Sequence, residues 1–411
     1  MGGAVRGRGA RLNETRSPGG RLSTLAEQVL WRAYEHAPAA VEPVIALGRR
    51  HVLHRLRRSI PVSRIFVEEG SHGPALTAGI VGTGLVGDYF RARLFPGDAE
   101  VEAQPPIRPG GLDGLLAGLA RSCDVVLAVV PRASAKRLGP GCLRLPSLIA
   151  AGLPIASDLT ATLATASRTV RRQAREVETA GYTWTFAADM ADFERFHDEF
   201  HRPFVTARFG PLARLRRKEE LRREFRHGGG IIWSRLAGRT VGGGLVRVRG
   251  ASLGFVAEGV APAAEAVPPG PQVALNVAAC EMALAGNLST LDLGGAMPAL
   301  RDGIVRAKRA WGAAFTPSPE SHRDLLLSWR TPSHPAVMRL VGELAPVFAT
   351  RRGLAALTVA KPVDWRPAAT SGIAPVLVLG AEAGRTTWPF VAVDGEADPA
   401  RIAAIAEERE P

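Results

Sequence analysis

The sequence predicts a mixed α/β (α+β) protein with more than one domain. Three observations carry that prediction. The chain has 411 residues, enough for about two or three cores of ordinary domain size. Continuous apolar runs of strand length, CDVVLAVVP above all, alternate with segments of helical period. IIWSRL, TVGGGLVRV and ASLGFVAE read as three strands with tight turns at Ala237-Gly238 and Arg249-Gly250, an antiparallel meander.

Taken in order, residues 1–23 are rich in Gly and Arg and poor in large apolar side chains, which predicts a disordered basic tail. A basic helical pattern runs from Leu25 to about Arg58, followed by strand-like runs at 64–69 and 74–81. The glycine-rich GTGLVGDYFRARLF and a strand at 99–103 come next, then a leucine-rich helix over 112–121 that leads into CDVVLAVVP. These segments form a first unit, residues 24–160.

SRTVRRQAREVETAG (167–181) is the clearest helix, with a stripe of Val170, Ala174 and Val177 and a terminating Gly181. Arg168, Arg171, Arg172 and Arg175 cluster on its other face, either as a solvated surface or as a phosphate-binding one. Tyr182 to Phe186 reads as a strand. Asp189 caps a helix that buries Phe193, Phe196 and Phe200, and a strongly basic helix follows before the meander. QVALNVAACEMALAG is apolar over most of its surface and is expected to pack on a sheet. LDLGGAMPALRDGIVRAKRAWGAAF (291–315) reads as a strand, a glycine pair that turns the chain, and a helix ending at Trp311-Gly312. On a helical wheel Leu300, Ile304, Ala307 and Trp311 share one seam, with Arg301 and Lys308 at its border. The second unit is residues 161–330, and residues 331–411 are a C-terminal helical extension with short strands.

Composition excludes several classes. With 46% hydrophobic residues the chain is globular, and no apolar stretch approaches bilayer length, so a cytoplasmic protein is expected, peripheral membrane contact aside. The three cysteines lack metal-ligand spacing, which predicts reduced thiols and no metal site. His197 and His201 stand at i and i+4 beside Phe196 and Phe200, a pattern an aromatic core explains more simply than a metal. A net charge of +13 suits a polyanionic partner such as RNA, anionic lipid or a nucleotide-linked sugar. Only four of the 52 basic residues are lysines, however, and arginine-rich codon usage produces that skew unaided.

The run LDLGG, the helix with Lys308 ending KRAWGA, and the preceding RTVRRQAREVETAGY and HRPFVTARFG resemble the FemAB-like branch of the GNAT acyltransferase superfamily. The resemblance implies two tandem GNAT-like domains, each a mixed, largely antiparallel sheet flanked by helices. It implies transfer of an acyl group, acetyl or aminoacyl, to an amine acceptor, in cell-wall or exopolysaccharide biosynthesis. The implied donor is acetyl-CoA or another acyl donor such as an aminoacyl-tRNA. The expected pyrophosphate loop is replaced by VPPGPQVALN, where Pro269 and Pro271 donate no N–H and Gly270 and Gln272 remain.

Acyl transfer needs a group that takes the amine proton and another that stabilises the oxyanion. In a GNAT-like sheet the acyl group lies between two splayed strands, here Ser252 to Glu258 and Thr290 to Leu293. N–H groups around Val256 and Ala257 are candidate oxyanion contacts. Glu258 is the candidate base or water-positioner, with Asp292 second, and the resemblance implies that Lys308 faces the active site. Gly270, Gln272, Arg301, Arg171, Arg172 and Arg175 are the candidate donor or phosphate ligands. Two other readings compete. Gly82-x-Gly84-x-x-Gly87, with Glu102 placed 20 residues after Gly82, fits a dinucleotide-binding fingerprint. The weakened pyrophosphate loop also fits a non-catalytic GNAT-like scaffold protein.

Overall fold

A computed structural model describes residues 60–67, 76–82, 89–90, 100–107, 109–138, 141–210, 215–264, 269–319, 323–331, 334–359, 370–381, 390–394 and 397–408. The expected tail, the helix from Leu25 to Arg58 and most of the glycine-rich segment lie outside these residues.

The chain opens with β1 (Ile60–Val67), β2 (Leu76–Val81), β3 (Glu100–Ile107), α1 (Leu112–Ser122), β4 (Val125–Pro131), α2 (Arg132–Leu138), β5 (Leu143–Pro146), β6 (Ile149–Pro154) and a short α3 (Leu159–Thr162). Next come α4 (Arg168–Thr179), β7 (Tyr182–Ala187), α5 (Met190–Arg195), a wide π-turn (Phe196–His201), α6 (Arg202–Phe209) and α7 (Lys218–Arg226). The meander is β8 (Gly229–Leu236), β9 (Arg239–Arg249) and β10 (Ser252–Val260), followed by α8 (Pro271–Ala285), β11 (Thr290–Ala296), α9 (Gly303–Ala310), β12 (Ala314–Pro317) and β13 (Arg323–Trp329). The chain closes with α10 (Pro335–Leu344), β14 (Val347–Ala349), β15 (Leu354–Val359), β16 (Ile373–Leu379), β17 (Phe390–Val393) and α11 (Pro399–Glu408).

Two large sheets share one plan. The first has the order β3-β1-β2-β4-β13-β5, the second β12-β6-β11-β10-β9-β8-β7. Each has a single parallel joint, β2 with β4 and β10 with β11, and is otherwise antiparallel. A helix crosses over at each joint, α1 in the first sheet and α8 in the second, as a parallel pair requires.

The halves also exchange a strand, which departs from the expected unit limits. β6, from the expected first unit, lies between β12 and β11 of the second sheet, and β13, from the expected second unit, lies between β4 and β5 of the first. Apolar periodicity identifies a strand but carries no information about which sheet it joins.

The C-terminal residues form a third sheet, β14-β15-β16-β17, rather than an appendage. Alternation sends its two faces to different cores. Ala355, Leu357, Leu377 and Leu379 join a cluster with Leu127, Leu143 and Leu325 of the first sheet and with Leu340 of α10 and Ile402 of α11. Leu354, Ala356, Ile373 and Val376 join Ile149, Leu153, Leu291 and Phe315 of the second. Burial on both faces accounts for the unbroken apolar runs LAALTV and APVLVL.

The dinucleotide reading is corrected here. Glu102 sits on β3, which lies two places from β2 with antiparallel β1 between them. In a dinucleotide-binding unit the carboxylate strand lies parallel beside the strand that leads into the glycine loop. Gly82 itself has φ +86°, and Gly84 and Gly87 lie outside the described residues.

Candidate active site

The site forms where the second sheet opens. β10 and β11 are in register only over Ser252↔Thr290, Leu253↔Leu291 and Gly254↔Asp292. From Phe255 onward β10 has no strand on that side among the described residues, and its pairing with β9 is broken by a bulge at Val256 between Phe255↔Val246 and Ala257↔Leu245. A bulge leaves one residue out of the ladder, which puts a main-chain unit at the mouth of the gap, where the oxyanion donors are expected.

β11 is broken on its other side. Its register with β6 shifts between Asp292 and Gly295, and Gly294 has φ +79°, a conformation costly for any residue with a Cβ. Asp292 Oδ1 accepts the Gly294 N–H at 2.8 Å. The glycine pair therefore does not turn the chain into the helix. It lies in and just past the shifted part of β11, with Gly295 back in register with Ala150, and it presents two adjacent carbonyls to a side chain.

Those carbonyls are taken by Lys308, whose Nζ donates to Gly294 O and Gly295 O at 2.8 Å each. The helix that delivers it differs from the expected seam. Asp302 Oδ1 caps α9 at the N–H groups of Ile304 (2.8 Å) and Val305 (3.2 Å), so Leu300 and Arg301 precede the helix. Val305 is fully buried, whereas Ile304 and Ala307 are exposed. Lys308 follows Val305 by three residues and faces the sheet for that reason. Burial pushes the Lys308 ammonium down to about 8, against the opposing pull of Glu258, Asp292 and Asp302.

Lys308 lies within electrostatic reach of Glu258, Asp292 and Asp302. Glu258 is held from two directions: Gln272 Nε2 donates to its Oε2 at 3.2 Å, and His201 Nδ1 donates to its main-chain carbonyl at 2.7 Å. Arg208 Nη1 in turn donates to Gln272 Oε1 at 3.0 Å. Gly270 caps α8 with φ +93°, and its carbonyl accepts from Val273 (3.1 Å) and Ala274 (3.3 Å). With Pro271 at N1, the first turn offers few N–H groups to a pyrophosphate.

The arginines of α4 are engaged locally. Arg171 Nη1 donates to the carbonyls of Ala164 and Ala166 at 2.9 Å each, Arg172 pairs with Glu176 at 3.4 Å, and Arg175 Nε donates to Arg171 O at 3.3 Å. Arg301 lies just before the α9 cap, its N–H donating to Leu344 O at 3.3 Å. His197 and His201 are buried, with rings stacked on Phe193 and Phe196, and among the described residues no group of metal-ligand type is formed. The sequence reading misses the carbonyls of Gly294 and Gly295, the contact of His201 with Glu258, and Tyr89, whose hydroxyl donates to Asp302 at 2.7 Å. The LDLGG glycines and the paired histidines are the signals from which the first two are recoverable.

Residues 164–301 match the family model described as an acetyltransferase (GNAT) domain. No curated protein sequence matches the chain. Among solved structures, FemX is similar with a TM-score of 0.38 and 11% identity, over 73% of this chain and 95% of that one. L-PGS from Bacillus licheniformis is similar at 0.33 and 12%, over 68% and 85%. A tandem GNAT protein from the clavulanic acid biosynthesis pathway is similar at 0.26 and 15%, over 75% and 94%. No helix among the described residues is long and apolar enough to cross a membrane. The stretch that matches an acetyltransferase (GNAT) domain thus contains the opened β10/β11 joint.

Proposed function

We propose that this acyltransferase is of the FemAB-like branch and transfers an acyl group, with an aminoacyl-tRNA favoured over acetyl-CoA as donor, to an amine acceptor of the cell envelope. The observation that carries the chemistry is the anchoring of Lys308 on the Gly294 and Gly295 carbonyls at the gap between β10 and β11. The α8 turn supports the choice of donor, since Pro271 has no N–H and those of Val273 and Ala274 are given to the Gly270 carbonyl, which leaves a poor pyrophosphate cradle. LDLGG and KRAWGA support the branch.

In this reading the acceptor nitrogen attacks the acyl carbon held in the gap. Glu258 takes the proton the nitrogen loses, the new C–N bond forms, and the bond from the acyl carbon to the donor's oxygen or sulfur breaks. The proton passes on to that leaving atom. An ammonium has three N–H donors, and two of those on Lys308 are used by carbonyls, so the third is free for the oxyanion. Arginine does not replace it, because a planar fork does not converge on two adjacent carbonyls and a substrate oxygen.

The test is transfer of radiolabel from aminoacyl-tRNA or from acetyl-CoA into amine-bearing envelope precursors. The native protein is expected to transfer label and Lys308→Ala to lose it by about 100-fold or more, with an unchanged melting temperature. Consumption of neither donor overturns the assignment in favour of a non-catalytic binding protein.

A further inference from the structure

Glu258 lies where β10 pairs with β9 but, among the described residues, with no strand on its other side, and a carboxylate on a free strand edge is ordinarily mobile. Here both ends of the residue are tied. The π-turn brings His201 onto β10, and the approach is so close that a Cβ on Gly259 would stand 2.5 Å from His201 N and from Phe200 C. A glycine at 259 is therefore required for the His201 ring to reach the Glu258 carbonyl at 2.7 Å. A carbonyl only accepts, so Nδ1 carries the hydrogen. Burial keeps the imidazole below its usual range, hence neutral, and Nε2 is buried without a hydrogen-bond partner among the described residues. At the other end, Gln272 occupies the first turn of α8, the place of a pyrophosphate ligand, yet both of its amide atoms are committed to Arg208 and Glu258.

We propose that Gln272 and His201 are positioning residues, holding the Glu258 side chain and main chain respectively so that the carboxylate stays within electrostatic reach of Lys308, and that Gln272 is not a donor ligand. The inference rests on the reading of Glu258 as the group that takes the acceptor's proton.

Lys308 reports on it without any substrate. The chain has four lysines, so reductive 13C-methylation gives a sparse spectrum in which Lys308→Arg assigns the Lys308 signal. Glu258→Gln is expected to lower the Lys308 titration midpoint by about half a pH unit or more, since Asp292 and Asp302 remain as the other anions near it. Gln272→Leu and His201→Phe are expected to lower it part of the way and to add nothing on top of Glu258→Gln. His201→Asn, whose amide donates from the position of Nδ1, is expected to restore the native midpoint, and Gln272→Leu carries the test should His201→Phe fail to fold. A midpoint that moves in Glu258→Gln but not in Gln272→Leu overturns the positioning role, as does one that moves in neither. Failure of the transfer assay leaves this titration readable, so the two readings fail separately.

Discussion

Lys308 is an ammonium placed where a proton is easily lost. Its folded value is lowered to about 8 from 10.5 by burial, so the native state binds fewer protons than the unfolded chain between those values, and stability contributed by this group rises with pH across that window. Catalysis is expected to run the other way. In the proposed reaction a protonated Lys308 serves the oxyanion, so the transfer rate is expected to fall as pH rises through about 8. Lys308→Arg stays charged throughout, and its pH-rate profile is expected to lack that alkaline limb even at a lower rate; a limb that persists excludes Lys308 as its source. The sequence singled out this lysine through its rarity and its motif, and it named Glu258 and Asp292 as well. It did not disclose what Lys308 touches, because main-chain carbonyls beside a register shift leave no side-chain signature.

At the scale of elements, the π-turn, β10 and α7 share a packing problem. Gly259 admits the π-turn backbone, so Gly259→Ala is expected to destabilise the protein by about 3 kcal/mol or more, since the clash is with main chain rather than with a flexible side-chain end. Urea unfolding measures it. Behind this layer, Glu224 of α7 is buried and accepts from Arg247 at 2.7 Å and Arg249 at 2.8 Å. Burial alone would raise its carboxyl, but the hydrogen bond from Arg247 and the charges of Arg249 and Arg216 outweigh it, and the net direction is downward. A depressed carboxylate stabilises the fold above its unfolded value, 4.5, and that contribution is lost as pH falls through the folded one. The native protein should therefore lose more of its urea midpoint between pH 7 and pH 4 than Glu224→Gln does. A steeper loss in the variant would sink the assignment. α4, the Asp189 cap and the meander were legible from spacing alone, whereas the α9 seam was not. Its wheel was started at Leu300, before the point at which Asp302 caps the helix.

For the whole molecule, the third sheet is the decisive element. Because Leu377 belongs to one core and Val376 to the other, the two large sheets are expected to unfold together. Calorimetry should show one transition, and Leu377→Ala should lower it as a whole, at a cost of about 2–5 kcal/mol; two separable transitions would contradict a shared core. The strand exchange points the same way, with β6 and β13 each closing the other half's sheet. Neither feature was readable in the chain. Residues 331–411 show only short apolar runs, and a strand's partner is chosen by which edge it can reach after folding.

By itself the sequence determined the class of the fold and the order of helices and strands from Arg168 to Ala310, and it supplied the candidates for the chemistry, because periodicity, caps and motif spacing are local properties written along the chain. The tertiary structure alone decided that β10 and β11 part after three paired residues, that the glycine pair presents carbonyls to Lys308, and that Gln272 donates to Glu258. These are consequences of registers and close approaches between segments far apart in the chain, and no local pattern encodes them.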